Sequence, residues 1–122
     1  VATVDGTGFD FRTSRPVEGT FDHNFCLADL RRDIAPVAQL SSPRSRLSMQ
    51  VSTTEPGLQL YTGQGLTGGG SSHGGHGNGA FAGICLEPQS WPDAPNNASF
   101  PSIDLAPGER YHQVSEFAFS HR

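Results

Sequence analysis

SRLSMQVSTTEPGLQLYTG, residues 45–63, alternates apolar and polar side chains on both sides of a short break. Before the break, every second residue is apolar, at Leu47, Met49 and Val51. After the break, the alternation resumes at Leu58 and Leu60, with Gln59 and Tyr61 facing the other way. A repeat of two is the period of a β-strand with one buried face. Because the tripeptide EPG in the middle is typical of a turn, this stretch predicts strand, turn, strand.

Other segments extend the β pattern in both directions. The candidates are the strand-like residues 1–11, the alternating start of residues 21–30, the continuous apolar run 80–86 and the alternating VSEFAFS at 114–120. The apolar run is suited to a strand buried on both faces. The best helix candidate is the short LADLRRDIA at 27–35. With 15 glycines and 9 prolines in the chain, short strands joined by turns are favoured over helices.

Size and charge limit the classes of function. At 122 residues the chain has the length of one domain, so we expect it to hold no more than one core. The formal net charge is −4, and arginine supplies all the basic side chains, which excludes a basic face for nucleic acid. No run approaches the ~18 apolar residues of a membrane span, so we expect no membrane association.

A glycine-rich loop is predicted at residues 63–79, where nine of the residues are glycine. Such a composition cannot hold a packed element, and the formal G-x-G-x-x-G match at 63–68 lacks the helix that a dinucleotide site requires. His73 and His76 lie in this loop, but no cysteine or carboxylate stands near them, so we expect no metal site.

Two cysteines, Cys26 and Cys85, lie far apart and are each flanked by apolar residues. Without a short cysteine-dense framework, two free and buried thiols are favoured over a disulfide. The sequon Asn97-Ala98-Ser99 is short enough to arise by chance and carries little weight.

Glu87 follows the apolar run Gly83-Ile84-Cys85-Leu86. A carboxylate there would be partly desolvated, which raises its pKa toward the range that suits a general base. The structural alternative is a strand-end carboxylate paired with an arginine, and from composition alone this alternative is favoured. Taken singly, Asp22 fits a turn residue and Gln59 an exposed strand residue.

Several segments together resemble the galactose mutarotase (aldose 1-epimerase) family, in order and at the right separations. They are GTGFDFR at 6–12, FDHNFCL at 21–27, TTEPGLQLYTG at 53–63, GICLEPQSWPDAPN at 83–96, FPS at 100–102 and LAPGERY at 105–111. The resemblance covers nearly the whole chain, but only about the last third of a family member. It implies an all-β fold, an antiparallel β-sandwich that is incomplete in this chain, so that residues 1–122 form the C-terminal part of a single β-sandwich domain.

The resemblance also implies a reaction and a site. A base removes the proton of the anomeric hydroxyl while an acid protonates the ring oxygen, the sugar ring opens, and reclosure gives the other anomer, with no cofactor. The family's base falls on Glu87, while Asp22 and Gln59 match residues that hydrogen-bond sugar hydroxyls. The expected substrates are monosaccharides such as galactose and glucose.

The resemblance places the family's acid, a histidine, upstream of this chain. We therefore expect a partner, the N-terminal portion of the same protein, possibly as a second polypeptide. The alternative function is a non-catalytic carbohydrate-binding or scaffold module that keeps the three polar residues for hydroxyl recognition; a weaker third is action on phosphorylated sugars. Free thiols favour a cytoplasmic location, although a secreted or periplasmic one is compatible.

Overall fold

The protein, described by a computed structural model over residues 1–69 and 77–121, is built almost entirely from β-strands. The strands are β1 (Asp22–Cys26), β2 (Ala35–Ser42), β3 (Leu47–Thr53), β4 (Gly57–Tyr61), β5 (Cys85–Gln89) and β6 (Ser115–His121). The helical content of these ranges is one turn of 3₁₀ helix at Ala94–Asn96.

The strands form two antiparallel sheets of three strands each. The first sheet has the order β1-β4-β5, and the second sheet has the order β2-β3-β6. In the second sheet, β2 and β3 form a hairpin, and the bulge between Pro36 and Ala38 shifts its register. The predicted all-β, antiparallel class is confirmed.

The turn between β3 and β4 carries the chain from the second sheet to the first. Only residues 54–56 separate the two strands, as the strand-turn-strand pattern predicted. The amide of Thr54 donates to the carbonyl of Val114 just before β6 (3.0 Å), and the carbonyl of Pro56 accepts from the amide of Leu27 just after β1 (2.8 Å). This turn therefore touches segments of both sheets.

The apolar faces of the two sheets point toward each other. Val51 of β3 is 0% exposed, and Leu58 and Leu60 of β4 are 5% and 6% exposed. Phe21, just before β1, makes T-shaped ring contacts with Phe9 and Phe11, at centroid distances of 5.7 and 5.4 Å. A partly open cavity of about 640 Å³ lies between the first sheet, β2 and the segment from Val4 to Val17.

Part of the inward face of the second sheet is uncovered. Phe117 and Phe119 of β6 pair with Val51 and Met49 of β3, so their side chains share the face of the buried Val51. Phe117 is nevertheless 43% exposed and Phe119 63% exposed. Large aromatic side chains on an inward face are ordinarily covered, so this edge of the sandwich is open in the chain as described.

Two predicted elements are wrong. Residues 1–11 do not form a strand, because the chain turns twice there: the amide of Thr7 donates to Val4 and that of Asp10 to Thr7. Residues 27–35 do not form a helix, because their amides are used elsewhere. Those of Leu27 and Ala28 donate to Pro56, and that of Arg32 donates to Thr54, instead of to residues one helical turn back.

The prediction for residues 80–86 is also wrong. The strand starts at Cys85, and residues 80–85 are exposed rather than buried on both faces. The amide of Ala82 donates to Gly79, and Phe81 has a left-handed backbone (φ 62°), so the apolar run begins as a turn. The alternating strand predicted at 114–120 is confirmed as β6.

Gly63, the first residue of the predicted glycine-rich loop, packs closely against the segment before β5. Gly63 has φ 73°, and a Cβ there would lie 2.7 Å from the carbonyl oxygen of Gly83. Its own carbonyl accepts from the amide of Phe81 (2.9 Å). His73 and His76 lie outside the described residues. In the described ranges, no helix has the length and apolar character of a membrane span.

Candidate functional site

One face of the first sheet is lined with polar side chains because the three strands are in register. Asn24 of β1, Gln59 of β4 and Glu87 of β5 occupy one row across the sheet, and the pairs Asp22–Tyr61 and Gly57–Gln89 occupy the rows on either side. Paired residues point to the same side of a sheet. The opposite face carries the apolar side chains that fill the interior, so the polar face points out of the sandwich.

These side chains surround a shallow pocket of about 300 Å³. Its lining consists of Asp22, Gln59, Tyr61, Glu87, Gln89 and Pro92. The three residues that the resemblance singled out, from positions far apart in the sequence, therefore lie in one pocket. The pocket combines two carboxylates with two neutral amides, a set that can bind hydroxyl groups and accept a proton.

Hydrogen bonds join the polar side chains. The Nε2 of Gln59 donates to Oδ1 of Asp22 at 2.7 Å. The Nε2 of Gln89 donates to Oε1 of Gln59 at 3.3 Å and to Oδ1 of Asn24 at 3.2 Å. Gln59 is thus held from both sides, with its nitrogen toward Asp22 and its oxygen toward Gln89.

Glu87 lies in the pocket without a charged partner. Ion pairs in the described residues join Arg12 to Asp5 and Asp10, and Arg31 to Glu55, and none involves Glu87. Within residues 1–69 and 77–121, no arginine pairs with Glu87, so the ion pairs described there give the arginine-paired alternative no support. The expected desolvation of the Glu87 carboxylate is wrong, because Glu87 is exposed. It lies on an edge strand, and the residues before that strand form an exposed turn.

The proline after Glu87 is compatible with this position. Pro88 pairs with Leu58 at the edge of the first sheet. Proline lacks an amide donor and is tolerated in edge strands, where one side of the backbone has no neighbour to receive it.

No imidazole lines the pocket in the part of the chain that the structure describes. His23 alternates with Asp22 and Asn24 along β1 and therefore lies on the opposite face, with its ring against those of Phe9 (4.7 Å) and Phe21 (6.4 Å). His23 is therefore not part of the pocket lining.

The segment after β5 shapes one wall of the pocket through Pro92. Its neighbour Trp91 is 8% exposed, packs edge-on against Phe100 (5.2 Å), and donates from Nε1 to the carbonyl of Pro56 (2.9 Å). Asp93 has φ 62° and accepts from Nδ2 of Asn97 through its carbonyl (2.8 Å) and its side chain (2.9 Å). Asn97, the asparagine of the sequon, thus stabilises this turn through its side-chain hydrogen bonds.

An ion pair between the exposed Arg31 and the buried Glu55 lies at the same end of the sheet. Glu55 is 1% exposed, and Arg31 donates to it from Nε at 2.7 Å. Ser90 accepts from Arg31 (3.3 Å) and donates to the second oxygen of Glu55 (3.2 Å), while the guanidinium lies over the ring of Tyr111 (4.4 Å). The hydrogen bond to Glu55 raises the pKa of Arg31 above its ordinary value. These hydrogen bonds connect the segments that follow β1 and β5 to the turn before β4.

Sequence reasoning missed Tyr61, Gln89, Pro92 and Glu55. The alternation in LQLY places Tyr61 on the same face as Gln59, and the alternation in CLEPQ places Gln89 on the same face as Glu87. Tyr61 and Gln89 could therefore have been found from the two-residue period. Glu55 gave no such signal because a charged residue in an EPG turn ordinarily points into solvent.

The two cysteines are free thiols, as predicted, but both are exposed rather than buried. They lie on the polar face of the first sheet, because they share the facing of Asn24 and Glu87 in their strands. Within residues 1–69 and 77–121, no group of three His, Cys, Asp or Glu side chains is arranged to hold a metal ion.

Comparisons with known proteins agree with this architecture. The family model described as aldose 1-epimerase matches residues 1–118. The chain is 42% identical to galactose mutarotase of Bos taurus over 98% of its own length and 37% of that protein's. It is 34% identical to aldose 1-epimerase of Escherichia coli strain K12 over 96% of its length and 38% of that protein's.

A solved structure has the same arrangement of strands. The crystal structure of the GalM/aldose epimerase homologue from C. elegans superposes with a TM-score of 0.79 at 26% identity, covering 98% of this chain and 38% of that one. The chain thus spans a little more than a third of the length of the relatives it matches. A family model that matches nearly the whole chain shows that this chain belongs to the aldose 1-epimerase family.

Proposed function

We propose that this chain, together with an N-terminal portion of the same protein, is an aldose 1-epimerase that interconverts the α and β anomers of galactose, glucose or a similar aldose. The observation that carries the proposal is the convergence of Asp22, Gln59 and Glu87 on one outward-facing pocket. The names of the similar proteins, galactose mutarotase and aldose 1-epimerase, support the same reaction. We call the chain with that portion the complete assembly.

In this proposal Glu87 is the general base. Its exposed carboxylate takes the proton of the anomeric hydroxyl, and a general acid gives a proton to the ring oxygen as the bond from that oxygen to the anomeric carbon breaks. The open-chain aldehyde rotates, the hydroxyl attacks the other face, and both protons return. No proton or electron is gained or lost overall, so the reaction requires no cofactor.

Asp22 and Gln59 hold the sugar while this occurs. The carboxylate of Asp22 accepts hydrogen bonds from sugar hydroxyls, and the amide of Gln59, which already donates to Asp22, fixes that carboxylate in place (2.7 Å). Hydrogen bonds to charged groups are worth about 1.5–3 kcal/mol, which is enough for Asp22 to set the orientation of the ring.

The general acid in the proposal is a histidine of the N-terminal portion. Two observations on the described residues support a missing contributor. No imidazole lines the pocket, and the aromatic side chains of Phe117 and Phe119 lie exposed on an inward face. A further layer of chain over β6 would cover these rings. The assignment of residues 1–122 to the C-terminal part of a single β-sandwich domain stays a prediction. The glycine-rich loop at 63–79 and a cytoplasmic location also stay predictions.

A second candidate function is a carbohydrate-binding module without catalysis. The lack of an imidazole in the described pocket lining favours it for the chain by itself. The residues that recognise hydroxyls would be the same, but the sugar would leave as the anomer that entered.

Polarimetry separates the two functions. The intact mass of the preparation first establishes whether the N-terminal portion is present, and the optical rotation of freshly dissolved α-D-galactose is then followed with and without protein. The epimerase predicts an approach to anomeric equilibrium that accelerates in proportion to protein concentration. Saturable binding of galactose by the complete assembly with no acceleration would support the binding module instead.

A further inference from the structure

Gln89 occupies a particular place on the polar face of the first sheet. It lies opposite Gly57 in the sheet and one row from Gln59. Its single amide nitrogen donates to two side-chain oxygens, those of Gln59 (3.3 Å) and Asn24 (3.2 Å). It is half-buried, whereas Glu87 on the same strand is exposed.

These bonds select one of the two orientations of the Gln59 amide. A side-chain amide has an oxygen that accepts and a nitrogen that donates. With Gln89 donating to its oxygen, the nitrogen of Gln59 points at Asp22, where it donates at 2.7 Å. In the flipped orientation the nitrogen would face the nitrogen of Gln89 and the oxygen would face the Asp22 carboxylate, and both contacts would be repulsive.

The surroundings of Gln89 keep it in place. Because residue 57 is glycine, the Asn24 side chain can lie across β4 to reach Gln89: a Cβ at Gly57 would be 2.6 Å from Oδ1 of Asn24 and 3.0 Å from the carbonyl oxygen of Gln89. On the other side, Ser90 is attached to the buried Glu55 and to Arg31. The backbone on which Gln89 stands is therefore anchored to the core.

We propose that Gln89 is a positioning residue, which sets the orientation of the Gln59 amide and through it the hydrogen-bond pattern that Asp22 and Gln59 present to the sugar. The inference deepens the proposed function and rests on its sugar site. It does not require catalysis, because the same pattern would serve a binding module.

The test is the Kd of the complete assembly for galactose, measured by titration calorimetry beside the mutarotation rate. Gln89→Leu removes the donor at similar size, and we expect the Kd to rise about tenfold, the effect of one hydrogen bond of ordinary strength. Gln89→Glu places an acceptor against two oxygens and should raise the Kd further. Gln50→Leu, an exposed glutamine of β3, is the matched control and should leave the Kd unchanged.

Coupling to Gln59 distinguishes positioning from general damage. In a Gln59→Leu background, Gln89→Leu should add less than a twofold change, because the residue through which it acts is gone. Additive effects in that background, or an unchanged Kd in both Gln89 variants, would overturn the inference. Weaker binding in the Gln89 variants of an assembly that binds galactose without mutarotation would support it while refuting the epimerase.

Discussion

Replacing Arg31 by alanine tests whether the turn between the two sheets depends on the ion pair between Arg31 and the buried carboxylate of Glu55. The substitution removes the guanidinium that donates to Glu55 at 2.7 Å and leaves that carboxylate, 1% exposed, with the Ser90 hydroxyl as its remaining side-chain donor. A buried carboxylate that loses its charged partner must either stay unpaired or take up a proton, and both cost free energy.

The expected loss lies at the lower end of the range for such changes. Breaking one side of a buried ion pair costs about 3–5 kcal/mol. The Arg31 side chain is 36% exposed, so water can enter the space it leaves and partly solvate Glu55. We therefore expect the free energy of unfolding to fall by about 3 kcal/mol, which includes the lost contact with the Tyr111 ring.

The assay is urea unfolding followed by tryptophan fluorescence. Trp91 is the single tryptophan of the chain and donates to the carbonyl of Pro56, so it reports on this turn directly. Arg44→Ala, an exposed arginine in the turn between β2 and β3, is the matched control and should change the stability by less than about 0.5 kcal/mol.

A second variant separates charge from shape. Adding Glu55→Gln to Arg31→Ala removes the unpaired charge, so the double variant should be more stable than Arg31→Ala by about 1 kcal/mol or more. An Arg31→Ala protein as stable as Arg44→Ala would refute the reasoning, and so would a double variant in which the two losses simply add.

Two further predictions follow from local geometry. Gly57→Ala puts a Cβ 2.6 Å from Oδ1 of Asn24 and should lower the free energy of unfolding in urea by about 1–3 kcal/mol; an unchanged midpoint would contradict the close approach. Arg12 lowers the pKa of Asp10 from 3.8 to about 2. Because the pKa of Asp10 is lower in the folded state, the ionised Asp10 stabilises the fold above pH 4, and this stabilisation is lost as the pH falls through about 2. Carboxyl NMR titration should give this value and its return toward 3.8 in Arg12→Gln, while an ordinary pKa in the wild type would contradict it.

The strands with one buried face could be predicted from the sequence, and those with other surroundings could not. Leu47, Met49 and Val51 alternate because one face of β3 lies against the core, and the structure places β3 there. The run 80–86 is apolar without being buried, because it forms a turn and the start of an edge strand in the described chain. Apolar composition alone does not distinguish these two cases.

The candidate site was predictable only in part for a similar reason. The resemblance supplied Asp22, Gln59 and Glu87, and the register of β1, β4 and β5 brings them together. Gln89 could have been inferred because it lies two residues after Glu87 and therefore on the same face of the strand. The Arg31–Glu55 pair could not have been inferred. Residues 27–31 form no helix, and Arg31 binds a turn residue 24 positions away in sequence, a contact that no local pattern encodes.

The central claim is that Glu87 is the base of an aldose 1-epimerase, and one comparison tests it most directly. The complete assembly is prepared as wild type, as Glu87→Gln and as Glu116→Gln, which changes an exposed glutamate of β6 in the same way. Each is assayed for the rate at which α-D-galactose reaches anomeric equilibrium. We predict that Glu87→Gln lowers kcat at least about a hundredfold, the range for loss of a general base, while Glu116→Gln keeps the wild-type rate. Equal rates in all three proteins would contradict the account.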